Sequence, residues 1–368
     1  MHVAIIGSRG YHHVYSGYET FVRELADRMV KAGIEVTVYC HKNLYTTFPA
    51  VVNNVRLVYI GTIEGKTTSQ FLHSLQAMAH ACRKPYDIIL TVNAANGPFG
   101  LFTRLCGRKT AINVDGLEWL RPKWKGLGAR YFYWAAKMAT KLYDVVVTDS
   151  REMQKIYRSE FNRDTTFIPY GAIVQESRPS AHIHQWGLEP GQYYLIVGRL
   201  VPDNNADLIM REFAAANSPR KLVLVGDVPY RDRYAEQIKA AAGERLIITG
   251  YIRDQEMLSE LYCHCSAYVH GHEFGGTNPS LLEALAHGCA VCALDTVFSC
   301  EVLANGEYGL LFTKEPGSLA RLLQSAERNP EKLLLLRQKA KQRITAAYNW
   351  EAVTGSYLSL FDKMLNGK

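Results

Sequence analysis

His272–Gly288, HEFGGTNPSLLEALAHG, is the stretch that decides the fold of this chain. It follows the apolar run Ala267-Tyr268-Val269-His270, and its second half sets Leu281, Leu282, Leu285 and Ala286 on one side at helical spacing. A strand that turns through Gly275-Gly276-Thr277-Asn278 into a helix opened by Pro279 is the joint of a parallel α/β unit. Proline suits a first helical turn, where its missing N–H is not needed. Free N–H groups at a helix start, reached over a turn with almost no side chains, form an anion site. One turn further in, Glu283 is a lone carboxylate able to accept two vicinal hydroxyls. By itself the stretch reads first as a capped surface helix, and the rest of the chain has to decide.

Working outward, strand and helix signals alternate in the manner of a parallel sheet. Val3–Ile6, Glu35–Tyr39, Val55–Ile60, Ile88–Val92, Thr110–Val114 and Val145–Thr148 read as strands of a first half. Tyr193–Val197, Leu222–Val225, Leu246–Ile248, Ala267–His270 and Ala290–Leu294 read as strands of a second. Amphipathic stretches lie between them, such as Glu19–Lys31, Ala206–Ala216 and Gln255–Cys263. The polar, turn-rich Gln175–Gly191 reads as a connection between the halves. The spacing therefore predicts two doubly wound Rossmann-like domains, 1–172 and 173–347, with a cleft between them. A C-terminal helix over 348–368, carrying Trp350, Val353, Tyr357, Leu360, Phe361 and Met364 on one side, is expected to pack toward the first domain. In such sheets ligands bind beyond the carboxyl ends of the strands.

Composition narrows the class. At 368 residues the chain is too long for one ordinary core. No apolar run reaches the ~18 residues of a membrane span, and the N-terminus lacks the pattern of a signal peptide. Eight scattered cysteines match no usual zinc spacing and read as reduced thiols, with Cys40, Cys289 and Cys292 in apolar strand context. The net charge of +7 is one-sided, since the first 172 residues carry 22 Lys and Arg against 13 Asp and Glu. The run Trp119–Tyr143 holds six basic residues and no acidic one, interleaved with aromatics. That pattern suits an anionic membrane surface, an acidic substrate or a nucleic acid; no nucleic-acid-binding module is recognisable.

Other candidates follow strands. Gly17 precedes a helix and offers open N–H groups, but the long loop between Gly7-Ser8-Arg9-Gly10 and that helix breaks the dinucleotide fingerprint and disfavours an NAD oxidoreductase. Asp115 ends a strand and is positioned to orient or deprotonate an acceptor hydroxyl, with Glu118 as second candidate; a turn-capping role for Asp115 is the even alternative. Arg199, at the end of the second half's first strand, suits bidentate contact with a diphosphate. Gly226 and Tyr251 follow strands where backbone can approach a nucleotide. His12, His13, His270 and His272 lack a metal-ligand spacing, so no metal is expected.

Taken together, YSGYETFVRELADRM, INVDGLEWLRPKW, VGRLVPDNN and GHEFGGTNPSLLEALAHG resemble the family 4 glycosyltransferases of the GT-B fold, and within them bacterial rhamnosyltransferase-type members that build capsule, O-antigen or similar polysaccharides. The resemblance implies retaining, metal-independent transfer of a hexosyl group from a nucleoside diphosphate sugar, dTDP-L-rhamnose first and a UDP-hexose second, to a lipid-linked or growing glycan. It needs no cofactor beyond the substrate. It implies that Glu283 takes the ribose hydroxyls, that Arg199 and the amides of Gly275, Gly276, Thr277 and Asn278 neutralise the leaving diphosphate, and that Gly17 approaches the same phosphates. Three departures stand out. Asn204 occupies the position of a usual lysine five residues after Arg199. The usual first glutamate, eight residues before Glu283, is replaced by Gly275, leaving Glu273 as a substitute. A histidine common before the aspartate is Val114. Asp115, Arg199 and Glu273 are thus the catalytic candidates. Glu118, Trp119, Arg121, Lys123, Lys125 and Arg130 are the expected acceptor or membrane contacts of a cytoplasmic protein, peripheral on the inner face of the membrane. A catalytically idle nucleotide-sugar-binding partner is the rival.

Overall fold

The computed structural model describes residues 1–12, 17–63, 68–122, 124–228 and 230–367. These form two compact units, Met1–Gly171 with Trp350–Lys368, and Ala172–Asn349.

The first unit is built on strands β1 (His2–Ile6), β2 (Glu35–His41), β3 (Val51–Val52), β4 (Val55–Ile60), β5 (Ile88–Val92), β6 (Lys109–Val114), β7 (Val145–Thr148) and β8 (Thr166–Phe167), ordered β3-β4-β2-β1-β5-β6-β7-β8. All pairings are parallel except β3 with β4. Helices α1 (Gly17–Lys31), α2 (Thr68–Ala81), α3 (Gly100–Leu105), α4 (Leu127–Leu142) and α5 (Arg151–Phe161) connect them. A sheet covered on both faces needs strands apolar throughout, and β5 (IILTV) is buried at every position. In α1 the apolar spacing seen in the sequence is the buried face, with Phe21, Val22, Leu25 and Met29.

The second unit has strands β9 (Tyr193–Val197), β10 (Lys221–Val225), β11 (Leu246–Gly250), β12 (Ala267–His270), β13 (Val291–Leu294) and β14 (Leu310–Phe312), all parallel and ordered β11-β10-β9-β12-β13-β14. Its helices are α6 (Ala206–Ala216), α7 (Arg233–Ala240), α8 (Gln255–His264), α9 (Pro279–Ala286), α10 (Val297–Val302), α11 (Ser318–Arg328) and α12 (Pro330–Ala347). The last helix, α13 (Trp350–Asn366), belongs to the first unit, where Phe21 of α1 packs its ring 6.2 Å from Trp350 and 5.7 Å from Tyr357.

Strand order reverses direction between β1 and β5 in one sheet and between β9 and β12 in the other. These are the switch points at which open α/β sheets bind ligands. At the second, the loops after β9 and β10 touch backbone to backbone. Gly226 sits at φ +142°, and a Cβ there would lie 1.8 Å from the carbonyl oxygen of Gly198. Gly226→Ala is therefore expected to cost about 1–3 kcal/mol for backbone strain and a further ~1–3 kcal/mol for the clash. An unchanged urea midpoint would show that the two loops part freely.

Gln175–Gly191, read from the sequence as a connection between the halves, belongs to the second unit. This segment packs along the second unit: Gln175 N–H donates to Ala286 O at 3.0 Å, His182 N–H to Glu260 at 2.7 Å, and Ile183 is buried. The carboxylate of Glu260, itself buried, is what holds it. All eight cysteines are free thiols, Cys40, Cys289 and Cys292 among the buried ones.

Candidate functional site

In the first unit, β6 delivers Asn113, Val114 and Asp115 one after another to the carboxyl edge of the sheet. Asp115 is half-buried, and tyrosines occupy both its oxygens. Tyr18, in the first turn of α1, donates its hydroxyl to Oδ1, and Tyr170 donates to Oδ2 at 3.1 Å. The hydroxyl of Tyr170 is also 3.4 Å from Asn113 Oδ1, and Asn113 Nδ2 donates to Tyr357 of α13 at 2.9 Å. Burial raises the Asp115 pKa above the usual carboxylate value; Tyr18, Arg121 and Tyr170 pull it back and the Glu118 charge pushes it up. Each carboxylate oxygen has two lone pairs, so two tyrosines leave room for a substrate hydroxyl. Burial and the charge of Asp115 in turn push the Tyr18 and Tyr170 hydroxyls well above their ordinary pKa, which keeps them neutral donors.

Glu118 is committed elsewhere. It accepts from Trp124 Nε1 at 2.9 Å and pairs with Arg121 Nε at 2.9 Å. Arg121 is buried, at 7% exposure, so the expectation of a solvent-facing Arg121 at a membrane is overturned. A Glu three residues earlier in the short 3₁₀ turn Glu118–Leu120 draws the guanidinium inward. Trp119 is likewise half-buried among Tyr133, Tyr157 and Phe161, with ring centroids 5.8–6.5 Å away. Lys125 and Arg130 are exposed. Lys123 and His13 lie outside the described residues. Gly17 is the first residue of α1, and the buried Glu19 two residues on accepts the N–H of Arg9 at 3.1 Å, tying the loop after β1 to this helix.

In the second unit, the residues at the β9/β12 switch converge. Arg199 follows β9, is half-buried, and its guanidinium has no hydrogen-bond or ion-pair partner among the described residues. Its carbonyl accepts from Asn204 Nδ2 at 2.7 Å, while Asn204 Oδ1 meets His272 Nδ1 at 2.7 Å. The residue standing where a lysine was expected thus braces both Arg199 and the loop after β12. In that loop Gly275 and Gly276 are buried, and a Cβ on Gly275 would lie 2.6 Å from His272 Nε2. The backbone N–H groups of Gly275, Gly276 and Asn278 have no acceptor among the described residues. Asn278 caps α9 by accepting from Ser280 N–H at 3.0 Å, and Pro279 occupies its first turn. Glu283 lies one turn into α9 with its side chain 40% exposed, and its carbonyl meets His287 Nδ1 at 2.7 Å.

Glu273 has a partner that the sequence did not disclose. Lys314, just past β14, donates to its Oε2 at 2.6 Å, and Asn205 Nδ2 is 3.4 Å from the same atom. His270 is buried beside Tyr268, and desolvation lowers its pKa to about 3, so it is a neutral core side chain. Gly226 serves the close packing described above, and Tyr251, after β11, is 51% exposed. An unpaired guanidinium, open amides at a capped helix start and a carboxylate one turn on have the chemistry to meet a phosphorylated ligand bearing hydroxyls.

The two units together define a fold class, GT-B, with two parallel-sheet α/β Rossmann-like domains. Sucrose-phosphate synthase of Thermosynechococcus elongatus shares it with a TM-score of 0.82 over 100% of both chains, at 20% identity. Residues 181–343 match the family described as "Glycosyl transferases group 1", and residues 1–173 match "Domain of unknown function (DUF1972)". The chain is 26% identical over 160 residues to a 2-deoxystreptamine N-acetyl-D-glucosaminyltransferase of Niallia circulans, covering 42% of this chain and 40% of the relative. It is 27% identical over 146 residues, 39% of each, to an N-acetylgalactosamine-N,N'-diacetylbacillosaminyl-diphospho-undecaprenol 4-alpha-N-acetylgalactosaminyltransferase of Campylobacter jejuni. These matches span about two fifths of the curated relatives' length.

Proposed function

We propose that this protein is a nucleotide-sugar-dependent hexosyltransferase that retains anomeric configuration. The observation that carries the reading is the unpaired Arg199 beside the open amides of Gly275, Gly276 and Asn278 at the β9/β12 switch point. In the reaction the bond from the anomeric carbon to the donor phosphate breaks and its electron pair leaves with the nucleoside diphosphate. The acceptor oxygen bonds to that carbon from the same face, and its proton goes to a donor phosphate oxygen. Arg199 and the loop amides meet the charge that develops on the leaving group. Glu283 accepts the ribose hydroxyls. Both side-chain hydrogen bonds of Glu273 are to Oε2, so Oε1 is available to a sugar hydroxyl. Asp115 orients the acceptor.

dTDP-L-rhamnose is the favoured donor, on the resemblance of VDGLEW and GGTNPSLLEA to rhamnosyltransferase-type sequences. A UDP-linked N-acetylhexosamine is the second reading, favoured by the activities named for the two curated relatives. A lipid-linked diphosphate acceptor is supported by the diphospho-undecaprenol named in one of them. No described helix is long and apolar enough to cross a membrane.

A thermal-shift panel of nucleoside diphosphates and nucleotide sugars tests the donor. Ligand at a hundredfold its Kd should stabilise the protein by about 2.7 kcal/mol, with dTDP-L-rhamnose giving the largest shift. A larger shift with a UDP-sugar selects the second reading, and no shift with any nucleotide sinks both. Glu283→Ala should weaken nucleoside diphosphate binding by roughly 1–3 kcal/mol, the worth of hydrogen bonds to a charged group. Unchanged affinity in calorimetry would remove Glu283 from the ribose site.

A further inference from the structure

The second unit carries a basic pocket that the transfer chemistry leaves unused. Its volume is about 240 Å³, and Ser177, Cys263, His287, Arg337, Gln338 and Lys341 line it together with Gly288. Cys263 comes from α8, and Arg337, Gln338 and Lys341 come from one side of α12. His287 and Gly288 directly follow α9. Gly288, at φ +75°, lets α12 approach, since a Cβ there would lie 3.2 Å from Lys341 Cε. None of these lining side chains is acidic. The space falls short of the ~300–1,000 Å³ of ordinary small-molecule sites and suits a small ion.

His287 says what kind of ion. Its ring stacks on Tyr262 with centroids 4.9 Å apart and is buried. Nδ1 carries the proton, because it lies 2.7 Å from the carbonyl oxygen of Glu283, which can only accept. In the neutral ring Nε2 is then an acceptor, and it is buried with no hydrogen-bond partner among the described residues. Burial lowers the His287 pKa below its ordinary 6.5; the bond to Glu283 pulls it up, and the charges of Lys341 and Arg178 push it down again. A buried acceptor left without a donor costs about 1–3 kcal/mol. The neighbouring groups are donors. Lys341 Nζ has no hydrogen-bond or ion-pair partner among the described residues. Arg337 donates Nη1 to Cys265 O at 2.7 Å and Nη2 to Cys263 O at 2.6 Å, which fixes the guanidinium and leaves it further N–H groups. The carboxyl end of α9 carries only about half a negative charge, which two full cations outweigh.

We propose that this pocket binds inorganic phosphate as hydrogen phosphate, its P–OH donating to His287 Nε2 and its charged oxygens accepting from Lys341 and Arg337. The ligand must give one hydrogen to a lone pair and take several from cations. Inorganic phosphate keeps a P–OH at neutral pH and above. Sulfate has none there, and a phosphomonoester loses its last proton at about pH 6. Either of these leaves Nε2 unmatched or forces a proton onto a ring whose burial and cationic neighbours resist it. The site is separate from Arg199 and the amides of Gly275, Gly276 and Asn278, and the inference does not rest on the transfer reaction.

The test is calorimetric titration of the full chain with inorganic phosphate, sulfate and glycerol phosphate at about pH 8, above the last titration of the phosphomonoester. Phosphate can also enter at Arg199, so every titration is made on Arg199→Ala protein. Phosphate should bind about tenfold more tightly than sulfate or glycerol phosphate, the worth of one hydrogen bond. Lys341→Gln should weaken phosphate binding by about tenfold or more, the worth of a hydrogen bond from a charged group. Lys332→Gln removes the same charge from an exposed position of the same helix and should leave the affinity nearly unchanged. His287→Phe keeps the ring on Tyr262 and should erase the preference for phosphate; Lys341→Gln decides the matter should that variant fail to fold, with thermal midpoints compared throughout. No phosphate binding, sulfate bound as tightly as phosphate, or a Lys341→Gln affinity equal to that of Lys332→Gln overturns the inference.

Discussion

Asp115→Asn is expected to lower turnover by about 10²-fold, the cost of misplacing an acceptor that the carboxylate orients, and to leave nucleoside diphosphate affinity unchanged. Arg199, Gly275, Gly276, Asn278 and Glu283, proposed to hold the nucleotide, belong to the second unit, and Asp115 belongs to the first. The amide presents one acceptor and one donor where the carboxylate presents two acceptors, so one of the two tyrosine hydroxyls, Tyr18 or Tyr170, turns to accept from the amide nitrogen. Misfolding can be separated from lost chemistry by sign. Burial raises the Asp115 pKa above its ordinary 3.8, so the native state binds this proton more tightly than the unfolded state. The group contributes stability at low pH, and that contribution is lost as pH rises through the raised value. At neutral pH a neutral isostere removes the cost of burying the charge, so the Asn variant should melt no lower than wild type. Activity that requires the carboxylate should fall on the acid side at a pH above the usual aspartate range. Tyr18→Phe and Tyr170→Phe should each move that limb further up, because both hydroxyls hold the pKa down. A fall in donor affinity matching the fall in turnover would place Asp115 on the donor instead.

The same network shows where the sequence is legible and where it is not. The strands could be read because parallel strands covered on both faces must be continuously apolar; β1, β5, β9 and β12 are of this kind. The two-residue β3 and β8 and the three-residue β14 are too short to leave a periodicity. Asp115, Arg199 and the glycine turn were found because each follows a readable strand. Their partners were not. Tyr18 is 97 residues from Asp115 and Tyr170 is 55, and only the folded sheet brings them to one carboxylate. Lys314 reaches Glu273 across 41 residues for the same reason. Arg121 misled because a run of like charges implies a solvated face, whereas one Glu three positions earlier was enough to bury it. Fold is written in local periodicity; the surroundings of a catalytic side chain are written in contacts between distant segments.

Arg199→Ala should reduce kcat by about 10²–10³-fold, the loss that follows removal of one preorganised donor to a developing oxyanion. The guanidinium has no carboxylate to hold it among the described residues, while its backbone is fixed by Asn204. A cation kept in place by its main chain and unpaired at its side chain is prepared for an anion that arrives with the substrate. Because negative charge on the leaving diphosphate grows as the glycosidic bond breaks, the contact strengthens in the transition state, and the loss should fall on kcat more than on KM. Arg199→Lys keeps the charge without the two-pronged donor geometry and should recover only part of the rate. Asn204→Lys, which restores a cation five residues on, should not rescue Arg199→Ala. It removes the bond that Asn204 Nδ2 donates to the carbonyl of residue 199 and the one that Asn204 Oδ1 accepts from His272 Nδ1, and so loosens the loop that presents the amides of Gly275 and Gly276. Steady-state kinetics with product-release controls decides the matter. A raised KM with kcat intact would mean that Arg199 binds donor and transition state alike and takes no part in stabilising the leaving group.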